Sequence, residues 1–229
     1  ILNRVASPRH GAEVARGLAQ LGIPVLGQIP RTESIFVPSR HLGLVPAGEW
    51  EDSATKVAGL GGLIAEYVDL DAVMDMAATA PDLDVEPWDP AAALESAGWQ
   101  GHPFGESPLV GMFAGRAFTF RYPETTEMLI AAGFRVVDVD PLTDRRLPDG
   151  IQGLYLGGGF PQMHATDLET NSELADDVRS HAEAGMPIVA ECAGLLYLCR
   201  HLDGHEMAGV LPMDAAMAKR LTMGYRVAT

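Results

Sequence analysis

MPIVAECAGLLYL, residues 186–198, combines three structural signals within one short stretch. Its apolar, β-branched first part predicts a strand, and the apolar spacing after Gly194 predicts a helix. Cys192 lies between the two, at a sharp turn. Such an elbow exposes a nucleophile above the end of a strand and directs backbone N–H groups and a helix N-terminus toward it. Because a helix N-terminus lowers the pKa of a thiol, Cys192 is a candidate nucleophile.

A buried structural cysteine is the competing interpretation, because free cysteines usually behave as small apolar residues. Two features favour the nucleophile. Cys192 ends the apolar run instead of lying within it, and a second turn, GGGFP at residues 157–161, follows another predicted strand. Both turns are expected at the carboxyl ends of strands in an α/β sheet, where ligands bind. Their backbone N–H groups are therefore candidate donors to an oxyanion.

The composition is that of a globular protein with one large or two modest domains: 229 residues, 47% hydrophobic and 21% charged. No apolar run is long enough to span a bilayer, and no leader peptide is evident. The net charge of −15 argues against binding of nucleic acid or of anionic membranes. Cys192 and Cys199 have neither disulfide nor metal-ligand spacing, which favours a reducing cytoplasm.

The hydrophobic patterns predict an α/β protein with domains at 1–80 and 108–229, joined by a linker at 81–107 that is rich in Asp, Pro, Gly and Trp. The first domain begins with a βαβ unit, which implies parallel strands. The predicted strands are 1–5, 23–30, 109–114, 134–139, 150–157, 187–190 and 221–227, with a short extended piece at 207–212. The predicted helices are 8–21, 51–66, 70–80, 122–132, 171–184 and 194–201.

Several motifs together resemble one family. GGGFP at 157–161, paired with AECAGL at 190–195, is similar to a class I glutamine amidotransferase domain, and more narrowly to the cobyrinic acid a,c-diamide synthase family, whose signatures read GGGYPE and AECGGLMYL. Further matches are AFTF at 117–120, PLTD at 141–144, Leu168 with Asn171, MGYR at 223–226 and PSRHLGLVPA at 38–47. The resemblance implies a partial P-loop-type parallel sheet domain, related to dethiobiotin synthetase, followed by a flavodoxin-like amidotransferase domain.

For the second domain, the resemblance implies that Cys192 attacks glutamine. The N–H of Ala193, with that of Gly158 or Gly159, would form the oxyanion hole. The family's base is a histidine in a GHEFH-type segment that the chain ends before reaching, and GHEM at 204–207 follows the cysteine too soon to take that role. His164, beside the glycine turn, is a fallback base.

The chain departs from the family pattern at three places. Ala193 replaces a glycine, which is tolerable if its φ is negative, and Gln162 replaces a glutamate. Gly115-Arg116 stands where the family has Arg-Asp, which removes any role of that acid.

For the first domain, the resemblance implies that Asn3 reads adenine and that Pro30 and Arg31 flank the same ring. Because the net charge is negative, an anionic substrate must be received at a specific basic patch, and Arg31, Arg40 and His41 are the candidate cluster. A turn-capping asparagine and solvated loop residues are the alternatives for these positions. ATP and Mg²⁺ are the cofactors implied for the complete enzyme. No G-x-x-x-x-G-K-[ST] motif occurs in the chain, so their phosphate and metal ligands are expected outside it.

The implied activity is ATP-dependent, glutamine-hydrolysing amidation of the a and c carboxylates of cobyrinic or hydrogenobyrinic acid. The chain is expected to be a fragment, inactive alone. Its partners are glutamine and a corrinoid carboxylate, without nucleic acid or membrane, and the resemblance allows a homodimer. Two alternatives stay open: another tetrapyrrole amidotransferase (cobyric acid synthase or sirohydrochlorin a,c-diamide synthase), and a non-catalytic flavodoxin-like binding domain with a structural cysteine.

Overall fold

The computed structural model describes residues 1–32, 45–46, 52–101 and 107–218. It divides into two compact units, Ile1–Glu86 and Pro87–Thr229. The elements of the first unit are, in chain order, β1 (Leu2–Val5), α1 (Pro8–Ala19), β2 (Gln28–Pro30), α2 (Ser53–Tyr67) and α3 (Leu70–Ala78). Strands β1 and β2 pair in parallel on either side of α1 in the chain, as predicted for a βαβ unit.

Local signals explain where these elements begin and end. The Ser7 side chain caps α1 by accepting from His10 N at 3.2 Å, and Pro8 occupies the first turn, where a missing N–H costs nothing. Strand β2 is shorter than the predicted strand at 23–30, and Pro24 lies in the part that is not a strand.

The second unit carries the larger sheet. Its elements are, in chain order, α4 (Pro90–Ser96), β3 (Leu109–Phe113), α5 (Pro123–Ala131), β4 (Arg135–Val139), β5 (Ile151–Leu156), α6 (Ala165–Thr170), α7 (Ser172–Glu183), β6 (Ile188–Ala190), α8 (Ala193–Leu198), β7 (His201–Leu202), β8 (His205–Glu206) and β9 (Asp214–Ala215). The four strands β4-β3-β5-β6, in that order, are all parallel. This is the flavodoxin-like strand order, so the predicted fold class is confirmed.

Aromatic packing fixes helix α8 against this sheet. The rings of Phe113, Phe118 and Tyr197 meet edge to face, with centroids 5.0 to 6.0 Å apart. All three side chains are at most 1% exposed. Because Tyr197 belongs to α8 and Phe113 to β3, this cluster anchors the helix that follows Cys192.

One predicted helix of this unit is too long. Helix α8 ends at Leu198, not at residue 201, and residues 201–206 form a β-hairpin instead. The turn of that hairpin is Asp203-Gly204, with φ of 51° and 88°, the positive values that Asp-Gly hairpin turns adopt. Residues 207–212 form no strand, and the expected linker contains helix α4, which contacts α5. The predicted strand at 221–227 lies outside the described residues.

Candidate active site

Cys192 occupies a strained turn between β6 and α8. Its φ is 50° and its ψ is −108°, a backbone conformation that residues other than glycine rarely adopt. Strain of this kind persists only where surrounding contacts enforce it, and it concentrates at functional sites. The residue is exposed, whereas Cys199 is buried. Burial raises the pKa of the Cys199 thiol, so Cys192 is the better placed of the two for nucleophilic chemistry.

Backbone hydrogen bonds fix both sides of the turn. Glu191 N donates to Leu156 O at 3.0 Å, while Gly194 N donates to Gly157 O at 3.0 Å and Glu191 O at 2.8 Å. A Cβ on Gly194 would overlap the Leu156 carbonyl oxygen. Glycine is therefore required at 194 because the start of α8 lies directly against the end of β5.

The glycine turn after β5 packs on residues 117–120. Gly158 and Phe120 exchange two backbone hydrogen bonds, of 3.1 and 3.2 Å, in an antiparallel bridge. A Cβ on Gly159 would overlap the Ala117 carbonyl oxygen and come within 2.8 Å of Phe118 Cα. The AFTF motif, which the sequence identified without a role, is thus the surface against which the glycine turn is built.

Two backbone N–H groups, one in the glycine turn after β5 and one at the start of α8, are available as donors. Within the described part of the chain, neither Ala193 N nor Gly159 N donates to an acceptor, whereas Gly158 N is engaged by Phe120 O. Ala193 is the first residue of α8, and its φ is not positive. An alanine is therefore compatible with this position, where the family has glycine, because the condition on its φ is met.

A side-chain hydrogen bond next to the thiol was not predicted. Tyr155 Oη in β5 donates to Glu191 Oε1 at 2.6 Å. Burial raises the pKa of Tyr155, and the bond to Glu191 raises it further. The two residues are 36 positions apart in the sequence, and only the parallel pairing of β5 with β6 brings them together.

Two histidines, His205 of the GHEM segment and His164, were considered in the sequence as a base for Cys192. His205 Nδ1 lies 2.8 Å from Glu169 Oε2, and Glu206 N donates to Glu169 Oε1 at 3.0 Å. The hydrogen bond to His205 lowers the pKa of Glu169. The GHEM segment thus contacts α6, and its hairpin follows the C-terminal end of α8, whereas Cys192 precedes the other end of that helix. His164 is buried at the start of α6.

Asn171, one of the family matches, has a structural role. It is 4% exposed, and its Nδ2 donates to Pro141 O at 2.8 Å and to Asp144 O at 2.7 Å. These bonds fasten the PLTD turn after β4. Two motifs that are far apart in the sequence therefore form one contact.

Two of the residues predicted to bind a nucleotide, Pro30 and Arg31, lie at the carboxyl end of β2. Pro30 pairs with Val5, and Arg31 N donates to Val5 O at 3.0 Å. The third, Asn3, lies within β1. Its Oδ1 accepts from Arg4 N at 2.9 Å, as a turn-capping asparagine would.

Other features of the first unit do not add to that site. A cavity of about 550 Å³ is lined by residues 25–28 and 66–69, at the amino end of β2 and away from Pro30. Arg40 and His41 lie outside the described residues. Over the ranges that the structure describes, no group of three or more His, Cys, Asp and Glu side chains is arranged to hold a metal ion. None of the helices seen there is both long and apolar enough to cross a membrane.

Comparison with known proteins agrees with this geometry. The chain is 48% identical over 228 residues to a hydrogenobyrinate a,c-diamide synthase of Thermobifida fusca, covering 98% of the chain and 48% of the relative. It is 44% identical to the enzyme of that name from Streptomyces coelicolor, covering 99% and 51%. It is 38% identical to a cobyrinate a,c-diamide synthase of Magnetococcus marinus, covering 95% and 46%.

The chain thus spans about half the length of the curated relatives it matches. No solved structure matches it at a significant level. Residues 110–229, more than half of the chain, match the model of the CobB/CobQ-like glutamine amidotransferase domain. They include the glycine turn and the strained Cys192 elbow. The chain therefore belongs to the family of CobB/CobQ-like glutamine amidotransferase domains.

Proposed function

We propose that the protein carrying this chain hydrolyses glutamine at Cys192 and uses the ammonia to amidate the a and c carboxylates of a corrinoid acid. The observation that carries the proposal is the exposed thiol at a strained turn that a backbone hydrogen bond joins to the glycine turn, with one available N–H donor in each turn. A merely structural cysteine needs neither exposure nor a backbone conformation that costs about 1–3 kcal/mol.

The glutaminase step follows from that arrangement. The Cys192 thiolate adds to the side-chain amide carbon of glutamine, and the carbonyl electron pair moves to oxygen. The N–H groups of Ala193 and Gly159 hold this oxyanion; we choose Gly159 over Gly158 because Gly158 N is already bonded. Collapse expels the nitrogen, which gains a proton and leaves as ammonia. Water then hydrolyses the γ-glutamyl thioester to glutamate and the free thiolate.

Proton transfer in this step is not assigned to a histidine of the GHEM segment, because that segment lies in the β7–β8 hairpin after the C-terminal end of α8, whereas Cys192 precedes the N-terminal end of that helix. His164 stays a prediction from the sequence. The requirement for a free thiolate leads us to propose a reducing, cytoplasmic setting for the reaction.

Amide formation requires more than ammonia, because a carboxylate is a poor electrophile. We propose that ATP, with Mg²⁺, activates the carboxylate. Pro30 and Arg31 are the residues of this chain that we assign to the nucleotide base, and Arg40 and His41 those that we assign to the substrate. Asn3 fits the base only in part, because its side-chain oxygen already accepts a backbone N–H.

Hydrogenobyrinate is the acid we propose as the substrate. Five of the relatives, at 42–48% identity, are hydrogenobyrinate a,c-diamide synthases, whereas those called cobyrinate a,c-diamide synthases are 35–38% identical. This higher identity supports the cobalt-free acid over the cobalt-containing one.

Ammonia release from glutamine by the full-length gene product tests the proposal. We expect steady release from the wild type, none from Cys192→Ala, and near-normal release from Cys199→Ala, which removes the buried thiol only. Equal release from Cys192→Ala and the wild type, or no release from any form with ATP and hydrogenobyrinate present, would contradict it. The latter result favours a non-catalytic binding domain.

A further inference from the structure

We infer that Glu191, held by Tyr155, is a positioning residue for the Cys192 nucleophile. The inference rests on the proposed glutaminase function. Tyr155 Oη donates to Glu191 Oε1 at 2.6 Å, the short distance of a charge-assisted hydrogen bond. Because Glu191 directly precedes Cys192, this bond ties the first residue of the strained turn to the neighbouring strand.

Glu191 is held at three points. Its N–H donates to Leu156 O at 3.0 Å, its carbonyl accepts from Gly194 N at 2.8 Å, and its carboxylate accepts from Tyr155. Cys192 follows Glu191 directly with φ 50°, and Gly194, on its other side, is bonded to the Glu191 carbonyl. Such a conformation lasts only when its surroundings over-determine it. The two backbone bonds survive any substitution at 191, so the side-chain bond is the anchor that a mutation can remove.

The Tyr155 donor is available whenever the thiolate is. Burial is the main cause of its raised pKa, the bond to the Glu191 carboxylate adds to it, and the nearby Tyr122 acts in the same direction. A hydrogen bond with Thr125 acts in the opposite direction and does not cancel the rise. With the pKa raised above 10, the phenol stays protonated over the neutral and mildly alkaline range.

A cross-strand bond could instead stabilise the sheet without affecting the thiol. Two probes separate these roles. Iodoacetamide requires only an exposed thiolate. The glutamine analogue diazo-oxo-norleucine must first occupy the glutamine site; its diazo carbon is protonated, the thiolate attacks that carbon, and N₂ leaves as the thioether forms. Loss of positioning slows the analogue and spares iodoacetamide.

The experiment measures both labelling rates at Cys192 by mass spectrometry in the full-length gene product. We expect Tyr155→Phe and Glu191→Ala to slow analogue labelling by about 10- to 100-fold, the range for a misplaced reacting group. Their double variant should be no slower than either single one. Glu191→Gln keeps an acceptor for Tyr155, so its rate should return to within about threefold of wild type. Tyr67→Phe, which removes a tyrosine–glutamate hydrogen bond in the first unit, is the matched control.

Comparing Glu191→Gln with Glu191→Ala removes the effect of charge, since both lack the carboxylate. Iodoacetamide rates at Cys192 should agree between these two variants. Cys199 reports on unfolding because it is buried, and its alkylation should stay slow throughout. Analogue rates that are equal in wild type, Tyr155→Phe and Glu191→Ala would overturn the inference, as would a glutamine variant as slow as the alanine one. A wild type that reacts with iodoacetamide but never with the analogue would instead refute the proposed function.

Discussion

Replacing Gly159 with alanine probes how the glycine turn is packed. The added Cβ would overlap the Ala117 carbonyl oxygen and lie 2.8 Å from Phe118 Cα. Both neighbours are backbone atoms, so no side-chain rotation relieves the clash. Overpacking of this kind costs about 1–3 kcal/mol. If the Ala117 carbonyl moves, its 3.0 Å bond from Phe160 N is also lost, which adds about 1 kcal/mol.

The expected loss in the free energy of unfolding is therefore about 2–4 kcal/mol. For a unit of this size, that lowers Tm by roughly 6–15 °C. Thermal and urea unfolding, followed by far-UV circular dichroism, measure the loss.

Gly158→Ala is the matched control at the next position. Its Cβ would meet the Phe120 side chain, at 3.0 Å from Cβ and 3.2 Å from Cδ2, and that ring is 38% exposed and can shift. We expect a cost below about 1 kcal/mol for this control. Equal destabilisation by the two alanines would refute the reasoning, because it would mean that the backbone contact at Gly159 does not limit what fits there.

Three further substitutions test the framework of the second unit. Asn171→Ala leaves two backbone carbonyls without their donor and should cost about 2–4 kcal/mol in urea unfolding. Gly194→Ala forces α8 away from the Leu156 carbonyl and should abolish glutamine-analogue labelling of Cys192, while the protein still folds. Glu169→Gln should reduce the loss of folding stability in acid. The hydrogen bond with His205 lowers the folded-state pKa of Glu169, so the ionised carboxylate stabilises the fold above the unfolded pKa of 4.5. This stabilisation is lost as the pH falls through the lowered folded-state pKa.

Two of these substitutions have control variants, and Asn171→Ala has a contradicting result. Gly59→Ala is the control for Gly194→Ala: it adds a methyl group in open space on a helix and should stabilise the first unit slightly. A loss of stability in Gly59→Ala would mean that contacts of the added Cβ do not decide which glycine can be replaced. Glu183→Gln removes an exposed helix carboxylate and should leave the acid profile unchanged. An unaltered urea midpoint for Asn171→Ala would mean that the hydrogen bonds from Asn171 Nδ2 to the PLTD turn do not stabilise the fold.

The sequence allowed the site-bearing sheet to be predicted because buried parallel strands are nearly continuous apolar runs. The runs ending at Gly157 and Cys192 indicated both turns, and the motif residues indicated their chemistry. The contacts between turns could not be predicted in this way. Phe120 with Gly158, and Tyr155 with Glu191, are joined by the order of strands in the sheet, which no local pattern contains.

Other differences between prediction and structure had a local sequence signal, but a second pattern outweighed it. Asp203-Gly204 is a hairpin signal, but the apolar spacing of 194–201 favoured a longer helix. Strand β2 begins at Gln28 instead of residue 23, because its pairing with β1 begins there and Pro24 lacks the N–H that a strand would use.

Mass spectrometry of the acid-quenched reaction with glutamine examines the nucleophile itself. The full-length gene product, mixed with glutamine and quenched during turnover, should carry a γ-glutamyl thioester on the peptide that contains Cys192 and none on Cys199. Ammonia release without any adduct at Cys192, or an adduct on another residue, would contradict the assignment of Cys192 as the residue that attacks glutamine.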